Sequence, residues 1–314
     1  MVLLAFTATI AATTAALPAA CLGVAKPIID VHSHSYSMDP RWEVHAPNPN
    51  TGKPLTVVGE GPLRDATVAE YRKNGDIRAI DDDDGAPGSD RQSGRRSVAA
   101  YPMIFRLGID ASIPDAATLA RIRQLHAAGE LSAIAEVGSQ YHGLGPDDPR
   151  MEPLWALAEE LDLPVGIHMG LGWPGVNADM PKMRMRLGNP LLLEDVLVRH
   201  PKLRVYIMHA GWPHMDGLLA MLHSFPTLYV DVAVLDWAIA EPEFHTYLKR
   251  IVEAGFGDRV MYGSDQMVWP DAVSLSIDRI NRASYLTESQ KRDLFFNNAV
   301  RFFRWSDLAA CQRN

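Results

Sequence analysis

Cysteine is nearly absent: the 314 residues hold two, Cys21 and Cys311. If the N-terminal segment is removed, Cys311 stands alone, no internal disulfide is expected, and a cysteine-held zinc is excluded. Any metal must then be held by histidines and carboxylates, and the chain has 11 histidines. Basic stripes are missing too, and the net charge is −8. Electrostatic binding to nucleic acid is therefore not expected, and nothing favours docking on anionic lipid. Beyond the first 25 residues no run reaches the roughly 18 apolar residues that a membrane span needs. A Gly-rich nucleotide turn after a single strand is also missing, which disfavours a doubly wound open sheet.

What is present suits one large domain with a sizeable core: 47% of residues are hydrophobic and 22% charged. Residues 1–25 are uncharged and rich in Ala, Thr and Leu, with small residues after Pro18. They read as a secretory signal cleaved between Ala19 and Lys26, although the usual positive n-region is missing. The expected location is periplasmic or secreted. A lipid anchor at Cys21 is the alternative, but Pro18, Ala19 and Ala20 make a poor lipobox. Residues 26–314 then form the domain, with irregular loops at 39–63 and 81–97. Loops of that length are often functional. The acidic run Asp81–Asp84 lacks the ligand spacing of a calcium loop and reads as solvated.

The informative pattern is a set of apolar runs that each stop at a polar residue beside a glycine or another small residue. They are IIDVHSH (His32, His34), LSAIAEVG (Glu136), LPVGIHMG (His168), LRVYIMHAG (His209) and DRVMYGSD (Asp265). A buried strand whose last residue points into a site has this appearance. Adding strands expected at Ile77–Ile80, Tyr101–Leu107 and Leu228–Val232 gives eight, alternating with helix-length segments. That alternation implies a parallel sheet, and eight repeats fit a single-domain (β/α)8 TIM-type barrel. A barrel gathers the C-terminal ends of all its strands at one mouth.

His32 and His34 lie two apart, so on a strand they share a face and can grip one ion. His168 or His209 alone would read as a core histidine bonded to a carbonyl; in register with the first pair they read as a site. A carboxylate at a buried strand end, such as Asp265, needs a partner charge, which a metal or its water supplies. Glu136 is a metal ligand, a bridge between two metals, a partner to a ligand, or half of an arginine ion pair. A His and carboxylate set with an open position makes a catalytic metal site. The metal would acidify water and polarise the substrate oxygen. Asp265 would take the proton, and His209 would stabilise the developing oxyanion or protonate the leaving group.

The expected reaction is hydrolysis of an amide, lactone or ester of a small organic substrate by metal-activated water. The alternative is non-oxidative decarboxylation of a small aromatic or unsaturated acid, with Arg106 holding the carboxylate. Loop residues Tyr36, Trp42, Tyr141, His142, Trp173, Trp212 and Trp269 are candidates for a pocket that takes a partly apolar or ring-bearing molecule. Simple packing is the competing reading for each tryptophan. Lys182, Arg184 and Arg186 form a basic rim or a solvated one. The partner is a small-molecule substrate, and self-association is compatible with the sequence.

The motifs VHSH (31–34), GIHMG (166–170), MHAGWP (208–213), YGSD (262–265) and FFNNAVRFF (295–303) together resemble the amidohydrolase superfamily. The resemblance covers roughly residues 27–305. It is closest to the amidohydrolase-related branch, which also contains aminocarboxymuconate semialdehyde decarboxylase and its relatives. It implies that His32, His34, His168 and Asp265 hold one divalent metal, zinc or else manganese, with His209 beside it for acid–base work. The lysine that bridges two metals in some members after carbamylation has no counterpart here, because the fourth strand ends in Glu136. Glutamate there also occurs in binuclear members, which implies the alternative of two ions, with Glu136 bridging and His168 and His209 on the second.

Overall fold

A computed structural model describes residues 24–34, 47–48, 51–53, 60–83, 104–109 and 111–311. Eight strands follow one another: β1 (Ile28–His34), β2 (Asp76–Asp83), β3 (Ile104–Ile109), β4 (Ile134–Val137), β5 (Val165–His168), β6 (Val205–Met208), β7 (Tyr229–Asp231) and β8 (Val260–Met261). They pair in chain order, β1-β2-β3 and β4-β5-β6-β7-β8, and every pair is parallel. Helices such as Glu60–Asn74, Ala116–Ala127, Glu152–Glu160, Met215–Ser224, Glu241–Ile251 and Asp271–Asn281 carry the chain back between strands, as parallel pairing requires. β3 packs against β4. At the other seam the amide of Val31 donates to the Tyr262 carbonyl at 3.0 Å, and that of Asp265 to the His32 carbonyl at 2.8 Å. The two sheets are arcs of one (β/α)8 barrel.

Strand alternation divides the core. Val205 and Ile207 join the larger apolar cluster, which includes the helical residues Leu154, Trp155, Leu218 and Phe244. Tyr206 and Met208, their neighbours on the same strand, join a second cluster with Ile29, Val31, Ile77, Ala133, Ala135 and Met261. This is the period of two expected when one face of each strand meets helices and the other meets the barrel interior. The C-terminal segment completes the inner cluster. Phe302 and Phe303 sit edge-on to Tyr206, with ring centroids 5.5 and 5.9 Å away. Arg78 of β2 is fully buried, lies over Trp305 and makes a two-pronged bond to Asp307 at 2.6 and 3.2 Å.

Three expectations change. β2 continues through Asp83, so Asp81–Asp83 are strand where a loop was expected; in-register pairing with Leu107–Ile109 of β3 extends it. The helix expected from Asp65 begins at Glu60. Cys311 is not a lone thiol: it is buried and disulfide-bonded. The Arg292 guanidinium ties the residue before β1 to Cys311, donating to Pro27 O (2.7 Å) and to Cys311 O (2.8 Å). The sequence's other cysteine, Cys21, and the leader expectation for residues 1–25 lie outside the described residues, apart from Val24 and Ala25. So does most of the 39–63 loop.

Candidate active site

Each expected ligand reaches the barrel mouth from a different strand end, except His32 and His34, which share β1. All seven residues of β1 are buried, so neither histidine faces solvent. Asp30 fixes the turn between β1 and the segment after β8: its Oδ1 accepts from the amides of His32 (2.9 Å) and Ser264 (3.0 Å), and its Oδ2 from the Tyr71 hydroxyl (3.1 Å). Gln266 holds the His34 backbone from both sides. Its Oε1 accepts from the amide at 3.2 Å, and its Nε2 donates to the carbonyl at 2.6 Å. Gly263 is needed for the close approach of this segment to β1, since a Cβ there would lie 2.7 Å from His32 Cβ. His209, which follows β6, and Asp265, which follows β8, adopt left-handed backbone with φ of 57° and 44°. Such strain persists only where the surroundings over-determine it. Here the His209 amide donates to Asp231 Oδ1 at 2.8 Å, and the Asp265 amide to His32 O at 2.8 Å.

Glu136, on β4, is the centre. Its Oε2 lies 3.4 Å from His32 Nε2 and 3.8 Å from His34 Nε2. Its Oε1 lies 2.5 Å from His168 Nδ1 and 3.6 Å from His209 Nε2. Asp265 flanks the first pair, with Oδ1 2.8 Å from His34 Nε2 and 3.9 Å from His32 Nε2. Among the described residues the ion-pair partners of Glu136 are histidines; Arg106, the arginine considered for it, has its side chain outside them.

Burial pulls the His32 imidazole down, but Asp265, Asp231 and Glu136 outweigh it and hold the ring well above the ordinary histidine value. Burial pushes the Glu136 carboxyl up, and His168, His209 and His32 reverse this and leave it well below the carboxylate range. Asp265 settles at about 2, because His32, His34 and His209 overcome its burial. Burial, aided by His209, keeps His168 below the ordinary value against the pull of Glu136.

This donor set fits a divalent metal. Asp231 Oδ2 lies 3.2 Å from His32 Nδ1 and accepts its proton, so Nε2 faces the carboxylate oxygens of Glu136 and Asp265. A positive charge belongs between them: the ring's own second proton, which the raised pKa favours in the metal-free protein, or a metal that displaces it. Buried His32 Nε2 and His168 Nε2 have no hydrogen-bond partner among the described residues. Three polar atoms also crowd His168 Nδ1: Glu136 Oε1, His209 Nε2 at 3.0 Å and the Tyr141 hydroxyl at 3.3 Å. A ring nitrogen can serve one of them. The groups His32–His34–Glu136 and Glu136–His168–His209 each gather their donor atoms within 4.8 Å. Imidazole and carboxylate without thiolate suit a borderline or hard divalent ion.

The amidohydrolase family profile matches residues 29–305. The chain belongs to the amidohydrolase family. Solved structures share its fold at low identity. An uncharacterised TIM-barrel protein from Bordetella bronchiseptica aligns at 18% identity and TM-score 0.66, over 91% of this chain and all (100%) of that one. A candidate 2-pyrone-4,6-dicarboxylic acid hydrolase from Acinetobacter baumannii, with citric acid bound, aligns at 13% identity and TM-score 0.58 (88% and 99% covered). The 5-carboxyvanillate decarboxylase of Sphingomonas paucimobilis aligns at 19% and 0.54 (89% and 99%). No curated protein matches in sequence. The solved neighbours named as a hydrolase and as a decarboxylase share one scaffold, so the reaction must be argued from the site.

The remaining described candidates of this amidohydrolase differ in how near they come to the ligands. Tyr141 reaches the ligands; burial first, then Glu136 and Asp265, hold its hydroxyl protonated. Trp173 stacks on Tyr141. His142 is exposed, and its pKa is lowered by burial of part of the ring and by Lys182. The Trp212 indole donates to Glu243 on the Glu241–Ile251 helix, which ties it to the outer layer. Trp269 is buried against Trp237. Arg106 lies on β3, but its side chain falls outside the described residues, as do Tyr36 and Trp42. Two residues that shape the site, Asp231 and Gln266, were not among the sequence candidates. Asp231 ends the apolar run LYVD just as Asp265 and Glu136 end theirs, so the signal was there. Gln266 follows the YGSD motif directly, but nothing in its type marks it.

Proposed function

We propose that this amidohydrolase is a two-metal hydrolase that cleaves an ester, lactone or amide of a small organic molecule. The observation that carries the reading is the orientation of Glu136, one oxygen toward the His32–His34 pair and the other toward the His168–His209 pair. That is the arrangement of a bridging carboxylate. His32, His34 and Asp265 would hold one ion and His168 and His209 the other, zinc by preference and manganese as the alternative. The ions would supply Lewis acidity, lowering the pKa of water and polarising the carbonyl. The chain's residues do the rest. Asp265, held low by three histidines, stays ionised at neutral pH and accepts the proton from the attacking water. Asp231 fixes the His32 tautomer. The buried ligands exclude bulk water from the reacting atoms.

Decarboxylation would instead need a cationic grip on a carboxylate. Arg106, the residue that would supply it, lies on β3 with its side chain outside the described residues, so the hydrolase reading rests on the orientation of Glu136. Export is part of the proposal and rests on the uncharged, Ala-, Thr- and Leu-rich residues 1–25.

The test is metal content per chain by elemental mass spectrometry on protein purified without chelator, with turnover of an ester, lactone, amide and aryl-acid panel. About two ions are expected, with hydrolysis dependent on them. His168→Ala and His209→Ala should each lose about one ion and the activity with it. A fully active protein with one ion, kept by His209→Ala, would overturn the bridging role. Carbon dioxide release from an aryl acid without ester turnover would replace hydrolase by decarboxylase.

A further inference from the structure

The mouth has one wall that runs from the ligands outward. His168 is buried, Tyr141 is half-buried beside it with ring centroids 4.4 Å apart, and half-buried Trp173 follows at 5.7 Å, tilted by only 26° from the Tyr141 plane. The wall is built, not incidental. Gly138 makes room for Tyr141, since a Cβ there would lie 3.0 Å from Tyr141 Cδ2. Gln140, buried beside it, donates to Gly170 O at 2.9 Å and accepts from Gly170 N at 3.2 Å, which locks the turn after β4 to the loop after β5. The Trp173 indole is pinned in turn by a 3.0 Å bond to Asp179.

The Tyr141 hydroxyl has His168 Nδ1 as its hydrogen-bond partner among the described residues. That nitrogen is also approached by Glu136 and His209, and it has one lone pair or proton to give. Once His168 serves as a ligand, the hydroxyl must find another acceptor, and it is already within the cluster. We propose that this acceptor is the carbonyl oxygen of the substrate, and that Trp173 receives a planar, ring-bearing acyl group attached to that carbonyl. This rests on the hydrolase reading and adds a substrate class: aromatic or conjugated acyl esters, lactones or amides. As water adds to the carbonyl carbon, the phenol keeps its proton and donates to the oxygen that gains charge. The bond to the leaving group then breaks, and the proton released by the water goes to that group.

The experiment uses the zinc-loaded full chain and two probes, phenylphosphonate and methylphosphonate, whose binding is read by calorimetry without turnover. Wild type should bind the phenyl probe about ten-fold more tightly, from ring burial and stacking. Trp173→Ala should reduce that ratio to about three or less and leave methylphosphonate nearly unchanged, while Trp173→Phe restores it. Tyr141→Phe should weaken both probes by the same factor, about ten-fold, with full zinc content. On an aryl ester it should lower kcat by about 100-fold with little change in KM. No phenyl preference in wild type, a preference that survives Trp173→Ala, or Tyr141→Phe within two-fold of wild type for both probes would overturn the proposal. Absence of turnover on every ester, lactone and amide would instead sink the hydrolase reading, and probe binding would still decide the roles of Tyr141 and Trp173.

Discussion

Asp231→Asn should weaken the first metal site far more than its size suggests. Asp231 touches no substrate, is fully buried, and accepts three N–H groups: His32 Nδ1 at 3.2 Å, His209 N at 2.8 Å and Ala233 N at 3.1 Å. Asparagine keeps one oxygen, enough for the two backbone amides on Oδ1. Its NH2 then replaces the oxygen that faces His32, and a donor meets a donor. The ring resolves this by moving its proton to Nε2, the nitrogen that faces Glu136 and Asp265, and so loses the lone pair a ligand needs. Loss of such an orienting partner typically costs 10–100-fold in metal affinity, or about 1.4–2.7 kcal/mol. Losing the hydrogen bond to a charged group should also destabilise the metal-free protein by about 1.5–3 kcal/mol. Competition with a chromogenic chelator measures the first quantity and urea denaturation of the metal-free protein the second. Metal affinity within two-fold of wild type would refute the tautomer argument, whatever happened to stability.

Gln266→Ala should remove two bonds to the buried His34 backbone, at a cost of about 1–3 kcal/mol in denaturant unfolding; a loss under about 0.5 kcal/mol would show that water replaces the amide freely. A pH effect should appear far from the site. His200 lies 2.9 Å from Glu152 and 3.2 Å from Glu159. Glu152 is raised by burial but lowered overall by His200 and Arg199, and Glu159 is lowered mainly by the Lys202 amide and also by His200. Both carboxyls therefore sit below their ordinary 4.5 when folded, and their contribution is present above that pH and lost as pH falls through the folded values. Glu152→Gln with Glu159→Gln should lower stability near pH 7 by no more than about 1 kcal/mol per pair, since both are half-buried and still screened by water. The gap to wild type should close below pH 4.5; a gap that is constant from pH 7 to 3 would rule out the ionic origin.

The ligands were legible because burial and chemistry conflict at them. A histidine or carboxylate at the end of an apolar strand is costly unless it has a job, and His32, His34, His168, His209 and Asp265 all carry that mark. The role of Glu136 was not legible. Ligand, bridge and ion-pair partner differ by the direction in which two oxygens point, and that direction is set by the neighbouring strands. Asp231 carries the same mark but is followed by Val232 and Ala233, which makes it resemble a lapse inside a strand. Gln266 acts on the backbone of His34, more than 200 residues away in sequence, and no local pattern encodes such a contact. Among loops, Trp212 shows why an aromatic near a motif is weak evidence: its indole has a partner at Glu243, in the outer helical layer.

The anchors of the site cross the barrel. His32 of β1 and the amide of His209 after β6 are held by Asp231 of β7; His34 by Gln266 after β8; Asp265 by a carbonyl of β1. None of these four candidate ligands is positioned by its own strand alone, so the placing of the β1 pair against His209 and Asp265 depends on closure of the barrel at the β1–β8 seam. This bears on the choice of chemistry. A single ion could be served by ligands from β1 and β8, which touch directly through the bond from Asp265 N to His32 O. The His168–His209 pair turns ring nitrogens toward the same oxygen of Glu136, at 2.5 and 3.6 Å. A one-metal site would take His168 as its fourth ligand and leave His209 for acid–base work, whereas the two-metal hydrolase we propose takes both as ligands; that second convergence, supplied by β4, β5 and β6 from the opposite arc, is what supports it.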